Sequence, residues 1–74
     1  GEGNGVYVYF RYTDTQKVMV VLNKNAEARN IDLSHYEEIL PARAKAHNVM
    51  ESTDVVFGKT LNVPAKSAQI FEIR

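Results

Sequence analysis

The sequence predicts an all-β fold, a small antiparallel β-sandwich of about seven short strands with one short helix near 35–40. Two observations lead to this fold class. Short runs rich in valine, tyrosine, isoleucine and phenylalanine recur along the chain, and the first alternates apolar with polar residues as a half-buried strand does. Clusters of turn-forming residues separate these runs, and almost no stretch has helical character. Short strands at this spacing are typical of an antiparallel sandwich.

The first two strands are predicted to form a hairpin around which the rest of the chain packs. Alternate side chains of the first strand share a face, with Val6, Val8, Phe10 and Tyr12 on one side and Tyr7, Tyr9 and Arg11 on the other. Residues 13–16 have the composition of a short hairpin loop. The second strand, residues 17–22, is apolar on both faces, which predicts a central strand covered on both sides. We therefore place this hairpin at the centre of the fold.

A short helix should follow the third strand. Ser34 and Glu37 have the spacing of a capping box, which predicts a helix from residue 35 to residue 40. Pro41 should end it, because the residue before a proline is disfavoured in the α region. A helix of this length is not stable alone, so its apolar residues should dock onto the sheet. These residues are Ile39 and Leu40.

The remaining strands are predicted at residues 28–33, 44–50, 55–57, 60–63 and 68–74. In the first of these, Ile31 and Leu33 should face inward. The strand at 44–50 has few apolar residues, which favours a place at the edge of a sheet. The last strand is ambiguous, because its apolar residues do not all fall on one face and compete for the core. They are Ile70, Phe71 and Ile73.

Composition limits the class of protein. The 74 residues predict one small domain with a thin stability margin. The sequence has no cysteine, so neither a disulfide nor a thiolate metal site is available. Nine basic residues balance nine acidic ones, which argues against nucleic acid and anionic membranes as partners. We interpret residues 1–5 as a flexible tail or cloning remnant, and residues 6–74 as a domain cut from a longer protein.

No residue pattern predicts catalysis, a metal site or a cofactor. The acidic residues all fall in predicted turns, at the helix start or at polar strand positions, where they have structural explanations. Paired catalytic carboxylates also need a shielded cleft, which a domain of this size hardly offers. His35 and His47 lie far apart and lack a second ligand at metal-binding spacing. The three serines have no glycine-flanked nucleophile elbow.

The aromatic residues carry the one functional hypothesis that the residues themselves offer. Tyr7, Tyr9 and Arg11 share a strand face. Such a stripe can stack against sugar rings, or it can pack under a loop or against a neighbouring domain. Tyr36, on the predicted helix, is a further candidate for either contact. We favour the interdomain contact, because a strand in the middle of a sandwich rarely leaves both faces free.

Three motifs occur in the order and spacing of a known family. They are a Val-Tyr-x-Tyr-x-Arg strand at residues 6–11, a Val-Val-Leu-Asn strand end at residues 20–23, and a Pro-Ala-Lys-Ser turn at residues 64–67 before Ile-x-Glu-Ile at residues 70–73. With them, nearly all of residues 6–74 resembles the C-terminal domain of the α-amylase superfamily of glycoside hydrolases, and within it the cyclomaltodextrinase and neopullulanase group. The middle of the chain is less similar, since Asn48 to Met50 stands where many relatives have Asp-Val and a Thr-Gly turn.

The resemblance implies a β-sandwich packed against the end of a catalytic (β/α)-barrel, with every catalytic residue on the barrel. It predicts a non-catalytic accessory domain of a hydrolase that degrades α-glucans or cyclodextrins, with the barrel as its partner. The alternative is a carbohydrate-binding module that contacts maltooligosaccharides or cyclodextrins through Tyr7, Tyr9 and Tyr12. If the barrel is the partner, one sheet face, or the helix around Tyr36 and Ile39, should expose apolar side chains.

Overall fold

The chain forms two antiparallel β-sheets in a computed structural model that describes residues 5–40 and 43–74. In chain order the elements are β1 Val6–Tyr12, β2 Lys17–Asn23, β3 Arg29–Asp32, a 3₁₀ helix Leu33–Tyr36, β4 Lys45–Asn48, β5 Thr53–Val56, β6 Thr60–Val63 and β7 Ser67–Ile73. The large sheet has the order β1-β2-β7-β4-β5, and the small sheet pairs β3 with β6. The predicted all-β antiparallel fold is confirmed.

The β1–β2 hairpin lies at one side of the large sheet. The Thr13 amide donates to the Gln16 carbonyl oxygen at 2.8 Å and closes the predicted hairpin loop. However, β1 is an edge strand and β7 is the middle strand of the five, so the prediction of a central hairpin is wrong. The strand β2 does lie between two neighbours, but its two apolar faces have different surroundings. One faces the core and the other faces away from it.

The core lies between the inner face of the large sheet and the small sheet. Met19 and Val21 of β2 are fully buried there beneath Ile31 and Val63 of the small sheet. In β7 Phe71 points inward, and its ring packs edge-on against the ring of Phe57 with 5.1 Å between the two ring centroids. The ambiguity of the last strand is resolved by this pairing. Ile73 packs on the same side as Phe71, whereas Ile70 points to the outer face.

The helix differs from the prediction in position and in type. It is a 3₁₀ turn at Leu33–Tyr36, followed by a turn in which the Leu40 amide donates to the Tyr36 carbonyl oxygen at 2.7 Å. The capping-box prediction is wrong because Asp32 is the N-cap, and its Oδ1 accepts from the Ser34 amide at 2.9 Å. The chain leaves β3 one residue earlier than the sequence suggests. Leu40 is nevertheless buried in the core, as predicted.

Two strand assignments also need correction. The strand β4 lies between β7 and β5, not at an edge. Its low apolarity arises because Ala46 is small and Asn48 is polar, and the Asn48 amide is satisfied inside the sandwich by Gln69 Oε1 at 2.8 Å. The edge position belongs to β5, which begins at Thr53, two residues earlier than predicted.

The predicted tail falls largely on residues 1–4, which lie outside the described residues. Gly5, the last residue of that segment, accepts a hydrogen bond from the Lys24 amide at 2.9 Å through its carbonyl oxygen. None of the helical segments in the described parts of the chain is long and apolar enough to cross a membrane.

Candidate interaction surface

The outer face of the large sheet is the candidate site. Five apolar residues of β2 and β7 point away from the core on this face: Val18, Val20, Leu22, Ala68 and Ile70. Tyr9 of β1 stands opposite Val20, and Val20 stands opposite Ile70, so three neighbouring strands form one continuous apolar row. The small sheet and the 3₁₀ helix cover the other face only, since the buried core contains none of these outer residues.

One half of this outer face is apolar. We call it the apolar half; it consists of Tyr7, Tyr9, Val20, Leu22, Val49, Ala68 and Ile70. Tyr7 is 47% exposed, Tyr9 is 48% exposed and Val49 is 43% exposed, while the aliphatic residues of β2 between them are half-buried. Apolar side chains grouped on one flat surface typically mark a contact with another protein surface. The exposed apolar sheet face that the sequence predicted is therefore present.

The other half of the outer face is charged. Arg11, Glu72, His47 and Asp54 follow one another across the sheet, with Val18 between the first two. His47 Nδ1 lies 2.8 Å from Asp54 Oδ1, and Gln16 Nε2 donates to Glu72 Oε2 at 2.6 Å. The Asp54 side chain is 85% exposed, so this pair contributes little to stability and stays in contact with water.

The predicted site residues divide between the two faces of β1. Tyr7, Tyr9 and Arg11 share the outer face, as predicted, and Lys24 Nζ lies 5.4 Å from the centroid of the Tyr7 ring. Tyr36 is not part of this surface, since its ring packs against Phe10 at 5.7 Å on the core side. Tyr12 also belongs to the inward-pointing set of β1, although it lies at the exposed end of the strand. The structure therefore brings together three of the five candidates.

The polar residues that were considered for chemistry have local structural roles. Hydrogen bonds from the Ser34 hydroxyl and amide hold the pKa of the Asp32 carboxyl below its usual value, and this carboxylate caps the 3₁₀ helix. His35 Nε2 lies 3.8 Å from the same carboxylate. Within residues 5–40 and 43–74, no three histidine, aspartate or glutamate side chains come together as metal ligands do.

Two sets of residues on these surfaces and in the core were not predicted from the sequence. The outward residues of β2 were expected to be covered by later segments of the chain, yet together with those of β7 they form the centre of the apolar half. Three buried amide side chains were also overlooked: Asn23, Asn48 and Gln69. The burial of Asn23 could have been predicted, because Asn23 is the next inward position of the strand after Met19 and Val21. Such a residue must find hydrogen-bond partners inside the fold.

Comparison with known proteins agrees with this architecture. The family model described as the cyclo-malto-dextrinase C-terminal domain matches residues 3–72. Among solved structures, the fold is similar to part of an α-amylase from Geobacillus thermoleovorans in complex with acarbose, with a TM-score of 0.78 and 18% identity. It is also similar to part of a β-galactosidase from Bacillus circulans sp. alkalophilus, with a TM-score of 0.70 and 19% identity.

The chain corresponds to a minor part of each of these enzymes. The α-amylase match covers 95% of this chain and 16% of the amylase chain. The β-galactosidase match covers 100% of this chain and 10% of the galactosidase chain. At these identities the two matches establish a shared fold.

Proposed function

The chain belongs to the family of cyclo-malto-dextrinase C-terminal domains, and on this premise we propose that it is a non-catalytic accessory domain of a glycoside hydrolase that degrades α-glucans or cyclodextrins. In this proposal the apolar half of the outer face packs against the catalytic (β/α)-barrel of the same enzyme. The domain then stabilises the barrel by removing apolar surface of both from water.

The apolar half is the observation that carries the proposal. A soluble sheet with one solvated face normally alternates apolar inward residues with polar outward ones. Here β2 has apolar residues on both faces, and Tyr9 and Ile70 extend the outward row on each side. Large rigid rings with a hydroxyl tip suit a surface that is partly buried and partly wet, so tyrosine at the edge of this row fits a domain interface.

The charged half sets the orientation of the contact. Its carboxylates and His47 already have partners on this sheet and gain little from a low-dielectric environment. We place the charged half at the rim of the interface, where water still reaches it, and the apolar half at the centre. The barrel surface opposite the centre should accordingly be apolar.

Thiol labelling of the full-length enzyme tests this contact. Two tyrosines of β1 provide a matched pair, since Tyr9 and Tyr12 are about equally exposed but point to opposite sides of the strand. Tyr9→Cys and Tyr12→Cys are introduced separately, with other cysteines of the enzyme replaced by serine. Maleimide labelling rates are then compared between the 74-residue chain and the full-length enzyme.

The expected result is protection of one position only. The thiol at position 9 should react at least about tenfold more slowly in the full-length enzyme than in the 74-residue chain, because burial in the interface excludes the reagent. The thiol at position 12 should react at similar rates in both. Equal rates at position 9 in the two proteins would refute the proposed contact.

The alternative function, sugar binding through Tyr7, Tyr9 and Tyr12, is limited by geometry. Tyr7 and Tyr9 share a face, whereas Tyr12 belongs to the opposite side of the strand, so one flat sugar platform would contain only the first two rings. Protection of the thiol at position 9 by a maltooligosaccharide, in the 74-residue chain without its barrel, would favour this alternative.

A further inference from the structure

A concave region lies on the opposite side of the large sheet from the apolar half. It is a groove of about 340 Å³ between the edge of β6 and the β4–β5 side of the large sheet. The groove exists because the small sheet has only two strands and covers only part of the inner face of a five-stranded sheet. Phe57 and Phe71 line it with buried rings, and Leu61 and Val55 add aliphatic surface.

The groove contains a buried amide with free donor capacity. Gln69 is only 9% exposed and lines the groove. Its Oε1 accepts from Asn48 Nδ2 at 2.8 Å, while Asn48 Oδ1 is occupied by the Met50 and Glu51 amides. Gln69 Nε2 donates to no described residue and is not sealed inside the protein, so its N–H groups are available at the groove.

The other lining groups define the chemistry of a ligand. Thr60 and Asn62 line the groove from β6, whose second edge pairs with no strand among the described residues. Glu51 is the one charged residue among the described residues that line the groove, and no basic side chain lines it. An anion is therefore disfavoured. A suitable ligand carries hydroxyl groups that both accept from an amide and donate to a carboxylate, and an apolar side that rests on aliphatic and aromatic surface.

We propose that this groove binds a neutral, hydroxyl-rich ring of the size of one sugar unit, with Gln69 Nε2 as the buried donor to a ligand hydroxyl. A volume of about 340 Å³ is at the lower end for ligand pockets, which suits one ring better than an extended oligomer. The proposal does not depend on docking to the barrel, since the groove and the apolar half lie on opposite faces of the large sheet.

Titration of the ¹⁵N-labelled 74-residue chain with D-glucose tests the proposal. The chain has two glutamines, so the side-chain NH₂ signals of Gln69 can be followed beside those of Gln16, an exposed internal control. We expect saturable shifts of the Gln69 signals and of amides from 57 to 62, with a dissociation constant on the order of millimolar. D-Glucuronate, which keeps the ring and adds a carboxylate, should bind more weakly.

Two variants make the test specific. Gln69→Glu keeps an acceptor for Asn48 but removes the donor, and it should weaken glucose binding about tenfold. Gly58 lines the groove, and a Cβ added there meets no atom within 4 Å, so Gly58→Leu should fill the groove without backbone strain. Gly58→Ala is its matched control and should bind glucose nearly as the parent chain does.

Several results would overturn the proposal. They are the absence of saturable Gln69 shifts, tighter binding of D-glucuronate than of D-glucose, and unchanged binding in Gly58→Leu. Shifts confined to Tyr7 and Tyr9 would instead place sugar binding on the outer face. Loss of maleimide protection at position 9 in the full-length enzyme would refute docking to the barrel while leaving the groove unaffected.

Discussion

Among the polar side chains of this domain, we expect Asn23 to contribute most to the free energy of unfolding. It is buried at the end of β2, and its Nδ2 donates to the carbonyl oxygens of Glu27, Val63 and Pro64, each at 3.1 Å. Its Oδ1 accepts from the Asn25 amide at 2.9 Å. One amide thus ties the large sheet, the following loop and the end of the small sheet together.

The cost of Asn23→Ala follows from the groups left without a partner. The carbonyl of Pro64 also accepts from Ser67 Oγ at 2.6 Å, so that group retains a partner. The bond to Asn23 is also lost by Asn25 Nδ2 and by three backbone groups, which are the Glu27 and Val63 carbonyl oxygens and the Asn25 N–H. At about 1 kcal/mol for each backbone group the loss is about 3 kcal/mol. A domain of this size is stabilised by roughly 3–5 kcal/mol, so Asn23→Ala should be close to its unfolding midpoint in buffer.

Urea unfolding followed by far-UV circular dichroism measures this loss. With a slope of about 1 kcal/mol per molar urea, the midpoint of Asn23→Ala should fall by about 3 M. Asn30→Ala is the matched control, because Asn30 also makes a side-chain hydrogen bond, to Asn62 at 3.1 Å, but is exposed. Its midpoint should move by less than about 0.5 M. Equal shifts in the two variants would refute this account of Asn23.

Asn23→Asp adds a dependence on pH with a definite sign. The new carboxylate would face three carbonyl oxygens in a buried site, so its folded pKa should rise above its unfolded value of about 3.9. Between these two pKa values the folded state binds more protons than the unfolded state. The stability of Asn23→Asp relative to the parent chain should therefore fall as pH rises from the unfolded pKa through the folded pKa. Asn30→Asp should show no such trend between about pH 3.5 and pH 7. A parallel trend in both variants would contradict the reasoning.

Three further predictions concern single contacts. Gly5→Ala should destabilise the chain by more than about 1 kcal/mol in urea unfolding, because φ is +83° and the new Cβ would lie 2.8 Å from an asparagine side chain, whereas Gly58→Ala should be nearly neutral. In Asp32→Asn the free energy of unfolding should depend less on pH in the acid range than in the parent chain. The reason is that the pKa of the Asp32 carboxyl is lowered in the folded state, so its stabilisation is present above the unfolded value of 3.8 and is lost as pH falls through the lower folded value. Lys17→Met should accelerate amide hydrogen exchange in the turn after the 3₁₀ helix, because it removes the bond from Lys17 Nζ to the Ile39 carbonyl oxygen at 2.8 Å, and unchanged exchange would show that this bond does not hold the turn.

The inward side of a strand was predicted more reliably from the sequence than the order of the strands in the sheet. Alternation in β1 correctly assigned Tyr7 and Tyr9 to the outer face, since the side-chain period of a strand is a local property. The place of β1 at the sheet edge depends on β7 pairing with β2, some fifty residues away along the chain. Local periodicity contains no information about that pairing.

The helix cap shows a second limit. Asp32 and Ser34 both carry short oxygen side chains that can cap a helix, and the motif ending at Glu37 favoured the serine. The structure uses Asp32 because β3 ends there, two residues before the serine. The choice between two competent caps thus depends on where the sheet releases the chain, which is a tertiary property.

The two apolar faces of β2 differ in what covers them. A strand pattern of this kind indicates that both faces leave water, but it does not say whether the covering surface comes from the same chain. Here the elements available to cover the large sheet can be counted. Five of the seven described strands form that sheet, and the other two strands and the short helix all lie on one of its faces. None of these described elements covers the row through Tyr9, Val20 and Ile70, and we propose for this reason that the surface of another domain packs on it. The proposed domain contact rests on this apolar strand face, which the described elements leave uncovered.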